Sequence, residues 1–166
     1  WDDGGLAHVV VDCTCGNGHD SAFLLNLLVR PPSPTPNGGG GEGANNESAS
    51  KVERLVCIDV NPSAISTTRK RLATVLLRNQ DSLHPHVEVL QQSHATFPQS
   101  LANESVSLMV WNLGYLPGAP TDSRTQTDTD STSSSIQQAI PLIRKGGMLS
   151  LTLYPGHQGG DEEALA

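Results

Sequence analysis

The feature that most constrains this chain is a glycine turn set between an apolar run and a helical pattern. His8-Val9-Val10-Val11 ends at Asp12, and Gly16 and Gly18 follow within a few residues. Ser21 to Val29 then carries apolar residues at Phe23, Leu24, Leu27 and Leu28, which is helical spacing. Strand, glycine turn and helix open a β-α-β unit. Such a unit exposes apolar surface on both faces until further strands and helices cover it, so the rest of the chain should repeat the pattern.

It does. Leu55-Val56-Cys57-Ile58 reads as a second buried strand ending at Asp59, and Asn61-Pro62 as an N-cap with proline at the first helical position. The helix should run to about Asn79 with Ile65, Leu72, Val75 and Leu76 on its inner face. Val87 to Leu90 predicts a third strand, followed by Ser93-His94, and Val106 to Trp111 a fourth, followed by Asn112. Ser131 to Ile143 is a weak helix that Pro141 should kink or shorten. Lys145-Gly146-Gly147 is expected to turn the chain into a fifth strand, Met148 to Leu153. Alternating strands and helices predict an α/β fold, a parallel sheet of about five strands with helices on both faces.

Residues 31–50, with four prolines and a Gly38–Gly41 run, break every pattern and read as a flexible surface insertion. Too little chain precedes them for an independent core, so residues 1–166 are taken as a single domain. The net charge of −7 argues against a broad grip on a nucleic-acid backbone, though not against a small RNA target. Cys13, Cys15 and Cys57 show no disulfide framework, and Cys13-x-Cys15 is too short a bite for a usual zinc pair. They are expected to be reduced, mostly buried thiols, with no bound metal. No apolar run approaches the roughly 20 residues of a membrane span, so a membrane partner is not expected.

In open parallel sheets, ligands bind beyond the carboxyl ends of the strands. Asp12, Asp59, Ser93, Asn112 and Tyr154 all fall at such ends. The glycine turn lacks a pyrophosphate-type Gly-x-Gly-x-x-Gly, having Ser21 where a dinucleotide fold would prefer a third glycine. Flanked by Asp12 and Asp20, it suits a cationic ligand. S-adenosyl-L-methionine, with its sulfonium and ammonium, is one. Asp59 can accept from both ribose hydroxyls of an adenosine. It lies 41 residues past Gly18, and leaving out residues 31–50 brings the gap to 21, close to the usual spacing. Capping of the following helix is its simpler alternative role.

Asn112-Leu113-Gly114-Tyr115-Leu116-Pro117-Gly118 carries the acceptor side. An Asn oxygen can take a hydrogen bond from a target amine and aim its lone pair at a methyl group, and an aromatic ring can steady developing positive charge. One of His19, His94 and His157 is suited to take a proton from an ammonium substrate, whereas His84 and His86 flank Pro85 in a solvated loop.

These strings, Val10-Val11-Asp12, Gly16-Asn17-Gly18-His19-Asp20, Ser93-His94, Asn112 to Gly118 and Tyr154-Pro155-Gly156-His157-Gln158-Gly159-Gly160, together resemble a bacterial and plant family. It was long labelled rRNA methylase and is understood as a tRNA 5-(aminomethyl)uridine methyltransferase family. The resemblance implies a Rossmann-like class I fold, S-adenosyl-L-methionine as cofactor, and methylation of the aminomethyl nitrogen of the wobble uridine, or its 2-thio form. It implies a cofactor pocket of Asp12, Gly16, Asn17, Gly18, Asp20, Asp59, Ser93, His94, Asn112 and Gly114. It puts Asn112, Tyr115 and His157 on the methyl-transfer side and matches Thr125-Gln126-Thr127 to a threonine-bearing loop.

The implied partner is a tRNA anticodon loop, in the cytoplasm, a plastid or a mitochondrion, with a homodimer left open. The family continues past Ala166 into a helix and two more strands, so C-terminal strands are expected to be missing here. Two other readings stand beside this one: an rRNA base methyltransferase, and a cofactor-binding module without chemistry. Methylation of a ribose hydroxyl would call for a lysine-containing set, and no Lys sits at a strand end.

Overall fold

The computed structural model describes residues 8–29, 52–79, 85–113 and 129–154. The insertion at 31–50, the loop after Leu113 with Gly114 and Tyr115, and the segment with His157 lie outside them. In chain order the elements are β1 (His8–Asp12), α1 (His19–Val29), β2 (Val52–Asp59), α2 (Pro62–Arg78) and β3 (His86–Gln91). Then come β4 (Val106–Asn112), α3 (Thr129–Ala139), a single 3-10 turn (Ile140–Leu142) and β5 (Ile143–Thr152).

The five strands form one sheet in the order β3-β2-β1-β4-β5, with every pairing parallel. Strand order reverses at β1, where β2 leaves on one side and β4 on the other, and open parallel sheets bind ligands at the carboxyl edge beside such a switch point. Side chains alternate across the pleat and feed two cores. Val10, Leu55 and Cys57 pack with Leu25 and Val29 of α1 and Ile65, Leu72 and Val75 of α2. Val9, Val11, Val56, Ile58, Met109 and Trp111 pack on the opposite face with Ala139 and Leu142. The buried Trp111 indole donates to Ser135 Oγ of α3 at 2.9 Å, so its polar atom is satisfied inside that core.

Four local readings need correction. Helix α1 starts at His19, before Ser21, because Ala22 N–H already bonds the Gly18 carbonyl. Its buried residues are Ser21, Leu25 and Val29, while Phe23 and Leu27 are exposed. The apolar stripe read from the sequence is thus rotated, because the small Ser21 lets the helix seat directly over the end of β1. His86 is the first residue of β3, and its imidazole pairs with Glu88 at 3.2 Å. Strand β5 begins at Ile143, with residues between Ile143 and Met148 forming an irregularity opposite Val106–Leu108 rather than a turn before the strand. Pro141 acts as expected: the α-helix ends at Ala139 and proline sits in the 3-10 turn.

Gly18 is tightly enclosed by α2. Its φ is +76°, and a Cβ there would lie 2.7 Å from Thr68 Oγ1 and 2.9 Å from Thr68 Cα. Gly146 has a similar φ of +78° with open space around it, so it isolates the backbone contribution. Gly146→Ala should cost about 1 kcal/mol in denaturant unfolding. Gly18→Ala should cost roughly 2–4 kcal/mol, because α1 and α2 must also move apart. Equal losses at the two positions would show that the α1–α2 contact is not tight.

Candidate active site

The turn between β1 and α1 is held from three directions. From α2, Thr68 Oγ1 donates to the Gly16 carbonyl at 2.8 Å, and Arg71 Nε donates to the Asn17 carbonyl at 2.9 Å. Arg71 Nη2 also lies 3.1 Å from His19 Nε2, which must accept, since a guanidinium only donates. From β2, Asp59 Oδ2 accepts the Gly16 N–H at 2.8 Å while Oδ1 accepts the Asn61 N–H at the same distance. Asn61 in turn caps α2, its side chain accepting from Ser63 and Ala64 N–H. Asp59 therefore does part of the work of its simpler alternative role, with each of its oxygens accepting one backbone N–H.

The third direction is β4. Asn112 N–H donates to Thr14 Oγ1 at 2.7 Å, and Asn112 Nδ2 donates to Asp20 Oδ2 at 3.1 Å. The structure thus gathers Asp12, Gly16, Gly18, Asp20, Asp59 and Asn112 around one turn. Ser93 and His94 stand at the same sheet edge, since Gln92 N–H bonds the Asp59 carbonyl at 3.0 Å. Ser93 Oγ accepts from Ala95 N–H at 3.1 Å, and His94 is mostly buried. Ser134 and Gln138 of α3 both donate to the Ala95 carbonyl, tying this loop to the far helix. Gly114, Tyr115 and His157 lie outside the described residues.

The sequence reading missed Thr14, Thr68 and Arg71. Thr14 sits inside the motif but gives no pattern of its own. Thr68 and Arg71 are three apart on α2 and so share a face, yet only the fold reveals that this face meets the turn. Ser21 was noted as a missing glycine. Its hydroxyl donates to Asp12 Oδ2 at 2.5 Å, giving that carboxyl a buried partner.

Three carboxylates, Asp12, Asp20 and Asp59, surround the turn, and no described cation is bonded to any of them. Burial, reinforced by the charges of Asp20 and Asp59, pushes Asp12 from its ordinary 3.8 up to about 7 against the Ser21 hydrogen bond. Burial likewise raises the thiols, Cys57 to about 12 and Cys13 and Cys15 well above their ordinary range. All three cysteines are free and buried, as expected, and are held as neutral thiols with a packing role.

The Asp12 shift has a definite sign. The folded chain keeps a proton that the unfolded chain releases between about pH 4 and 7, so stability is highest at the acid end of that window. It falls as pH rises and levels off above about 7. Asp12→Asn mimics the neutral acid and should flatten this slope. Between pH 4.5 and 7.5 the variant should gain roughly 3 kcal/mol relative to the parent in urea unfolding. Parallel profiles would mean that Asp12 is not strained by its surroundings.

Known proteins can now be set against this geometry. A plant relative, the "tRNA (mnm(5)s(2)U34)-methyltransferase, chloroplastic" of Arabidopsis thaliana, is 29% identical over 155 residues. The match takes in 93% of this chain and 49% of that protein, so the chain spans about half the length of this curated relative. The crystal structure of a "putative rRNA-methylase" from Clostridium thermocellum superimposes with a TM-score of 0.68 at 28% identity, covering 97% of this chain and 69% of that one. An rRNA methylase from Streptococcus thermophilus gives 0.58 at 25% identity, covering 95% and 67%. The fold is therefore that of the Rossmann-like methyltransferases. Residues 55–166 match the model of the family described as "Putative rRNA methylase", and the chain belongs to that family.

Proposed function

We propose that this chain is the methyl-transfer core of an enzyme that uses S-adenosyl-L-methionine to methylate the aminomethyl nitrogen of 5-aminomethyl(-2-thio)uridine at the tRNA wobble position. The observation that carries this reading is Asn112, exposed at the end of β4 and hydrogen-bonded to the acidic rim of the glycine turn. The activity named for the Arabidopsis relative, on a modified uridine at tRNA position 34, supports the substrate class. That relative is chloroplastic, which favours an organellar setting for this chain, and no described helix is long and apolar enough to cross a membrane.

The residues fit the cofactor's chemistry. A turn with two left-handed glycines, Gly16 and Gly18, lets backbone approach a ligand closely, and three carboxylates complement two positive charges. Bound there, S-adenosyl-L-methionine supplies an electrophilic methyl group whose transfer leaves a neutral thioether. Asp59 offers its free lone pairs to the ribose. Asn112 Oδ1 accepts an N–H of the target amine, so that the nitrogen lone pair points in line at the methyl. Asp12 and Asp20 would favour the positive charge that the acceptor nitrogen takes on as it receives a methyl group. Asn112 cannot deliver a proton to the amine, so its task is orientation.

Asn112→Ala should leave cofactor affinity nearly unchanged and slow methyl transfer to an aminomethyluridine-containing tRNA by about 10²-fold, the scale of a lost orienting contact. Single-turnover transfer of labelled methyl, followed by nucleoside mass analysis, reads this out. A wild-type rate in the variant would make Asn112 a turn residue only. Transfer to rRNA fragments and not to tRNA would replace the substrate assignment.

A further inference from the structure

We infer that Asp20 is a positioning residue for methyl transfer, fixing the orientation of the Asn112 side-chain amide so that its oxygen, not its NH2, faces the acceptor. This rests on the proposed role of Asn112. The two ends of an asparagine amide have nearly the same shape and opposite chemistry. With the NH2 facing the acceptor, it would donate into the amine lone pair that has to attack. With the oxygen facing it, an amine N–H is taken and the lone pair stays free. Reactivity thus depends on which way a side chain of nearly symmetric shape is turned.

Two contacts remove that freedom. Thr14 Oγ1 holds the Asn112 backbone N–H at 2.7 Å, which fixes where the side chain starts. Asp20 Oδ2 lies 3.1 Å from the amide on the other side. A carboxylate can only accept, so the amide end that meets Asp20 has to be the NH2. Turning the amide over would set oxygen against oxygen and forfeit a charge-assisted bond. Asp20 itself stands in the first turn of α1, whose seat is fixed by Ser21 on Asp12 and by Gly18 against Thr68. The glycine turn, usually regarded as a cofactor cradle, thereby also aims the acceptor residue.

Asp20→Asn can present either a donor or an acceptor to Asn112 and should lose the selection while keeping the shape. At saturating cofactor and tRNA, kcat should fall about tenfold or more, a loss that saturation separates from any weakening of cofactor binding caused by the missing Asp20 charge. The exchange of Asp20→Asn together with Asn112→Asp reverses the direction of the bond but again leaves an oxygen facing the amine. It should exceed the rate of Asn112→Asp alone by at least about tenfold. A loss confined to cofactor affinity, or an exchanged pair no faster than Asn112→Asp, would overturn the inference. NMR of the full chain labelled with 15N at asparagine reads the bond without any substrate. The Asn112 amide proton that meets Asp20 should resonate downfield of a solvated asparagine amide and move upfield in Asp20→Ala, and spectra that do not change would also overturn it. A bond seen by NMR in a wild-type protein that leaves aminomethyluridine tRNA unmethylated would support the lock and refute the substrate reading instead.

Discussion

Helix α2 and the turn after β1 meet at a distance only glycine allows. Thr68 stands against Gly18 where a Cβ would overlap its backbone, and its hydroxyl donates to the carbonyl of Gly16, two residues earlier in the turn. Arg71, one helical turn further along α2, takes the Asn17 carbonyl. The turn is therefore a fixed part of the α1–α2 layer rather than a loop resting on it. Much that gathers at the carboxyl edge depends on that: Asp20 stands in the first turn of the helix that Gly18 admits, and Asp59, three residues before α2 begins, accepts the Gly16 N–H.

The electrostatic character of the site follows from the same packing. Seating α1 over β1 buries Asp12 against Ser21 and places it near Asp20 and Asp59. Burial first, and after it the charges of Asp20 and Asp59, make Asp12 hold its proton to about pH 7. In the proposed function, a cationic cofactor among these groups would ease the repulsive part of that shift.

Much of this was legible in the sequence because the strongest signals were local. The β-α-β opening, the strand ends at Asp12, Asp59 and Asn112, the Asn61-Pro62 helix start and the disruption at Pro141 each follow from backbone chemistry within a few residues. The orientation of α1 was not legible. Phe23 and Leu27 have helical spacing but face outward, and small Ser21 faces in, a choice made by the contact with β1. Thr14, Thr68 and Arg71 escaped notice for a related reason: their partners are 98, 52 and 54 residues away along the chain. Asp20 was read as a cofactor residue because it adjoins the glycine turn, and its bond to Asn112 emerges only once β1 and β4 lie side by side.

In the proposed function, the acidic turn and Asp59 form one binding site for S-adenosyl-L-methionine. Calorimetric titration of the cofactor into the parent and into Asp59→Ala, with melting curves to establish that both are folded, tests this. Saturable one-site binding to the parent is expected, with at least a tenfold loss in the variant, about 1.4 kcal/mol or more, since Asp59 orders the turn and would also meet the ribose. Equal affinity in the two folded proteins would contradict it.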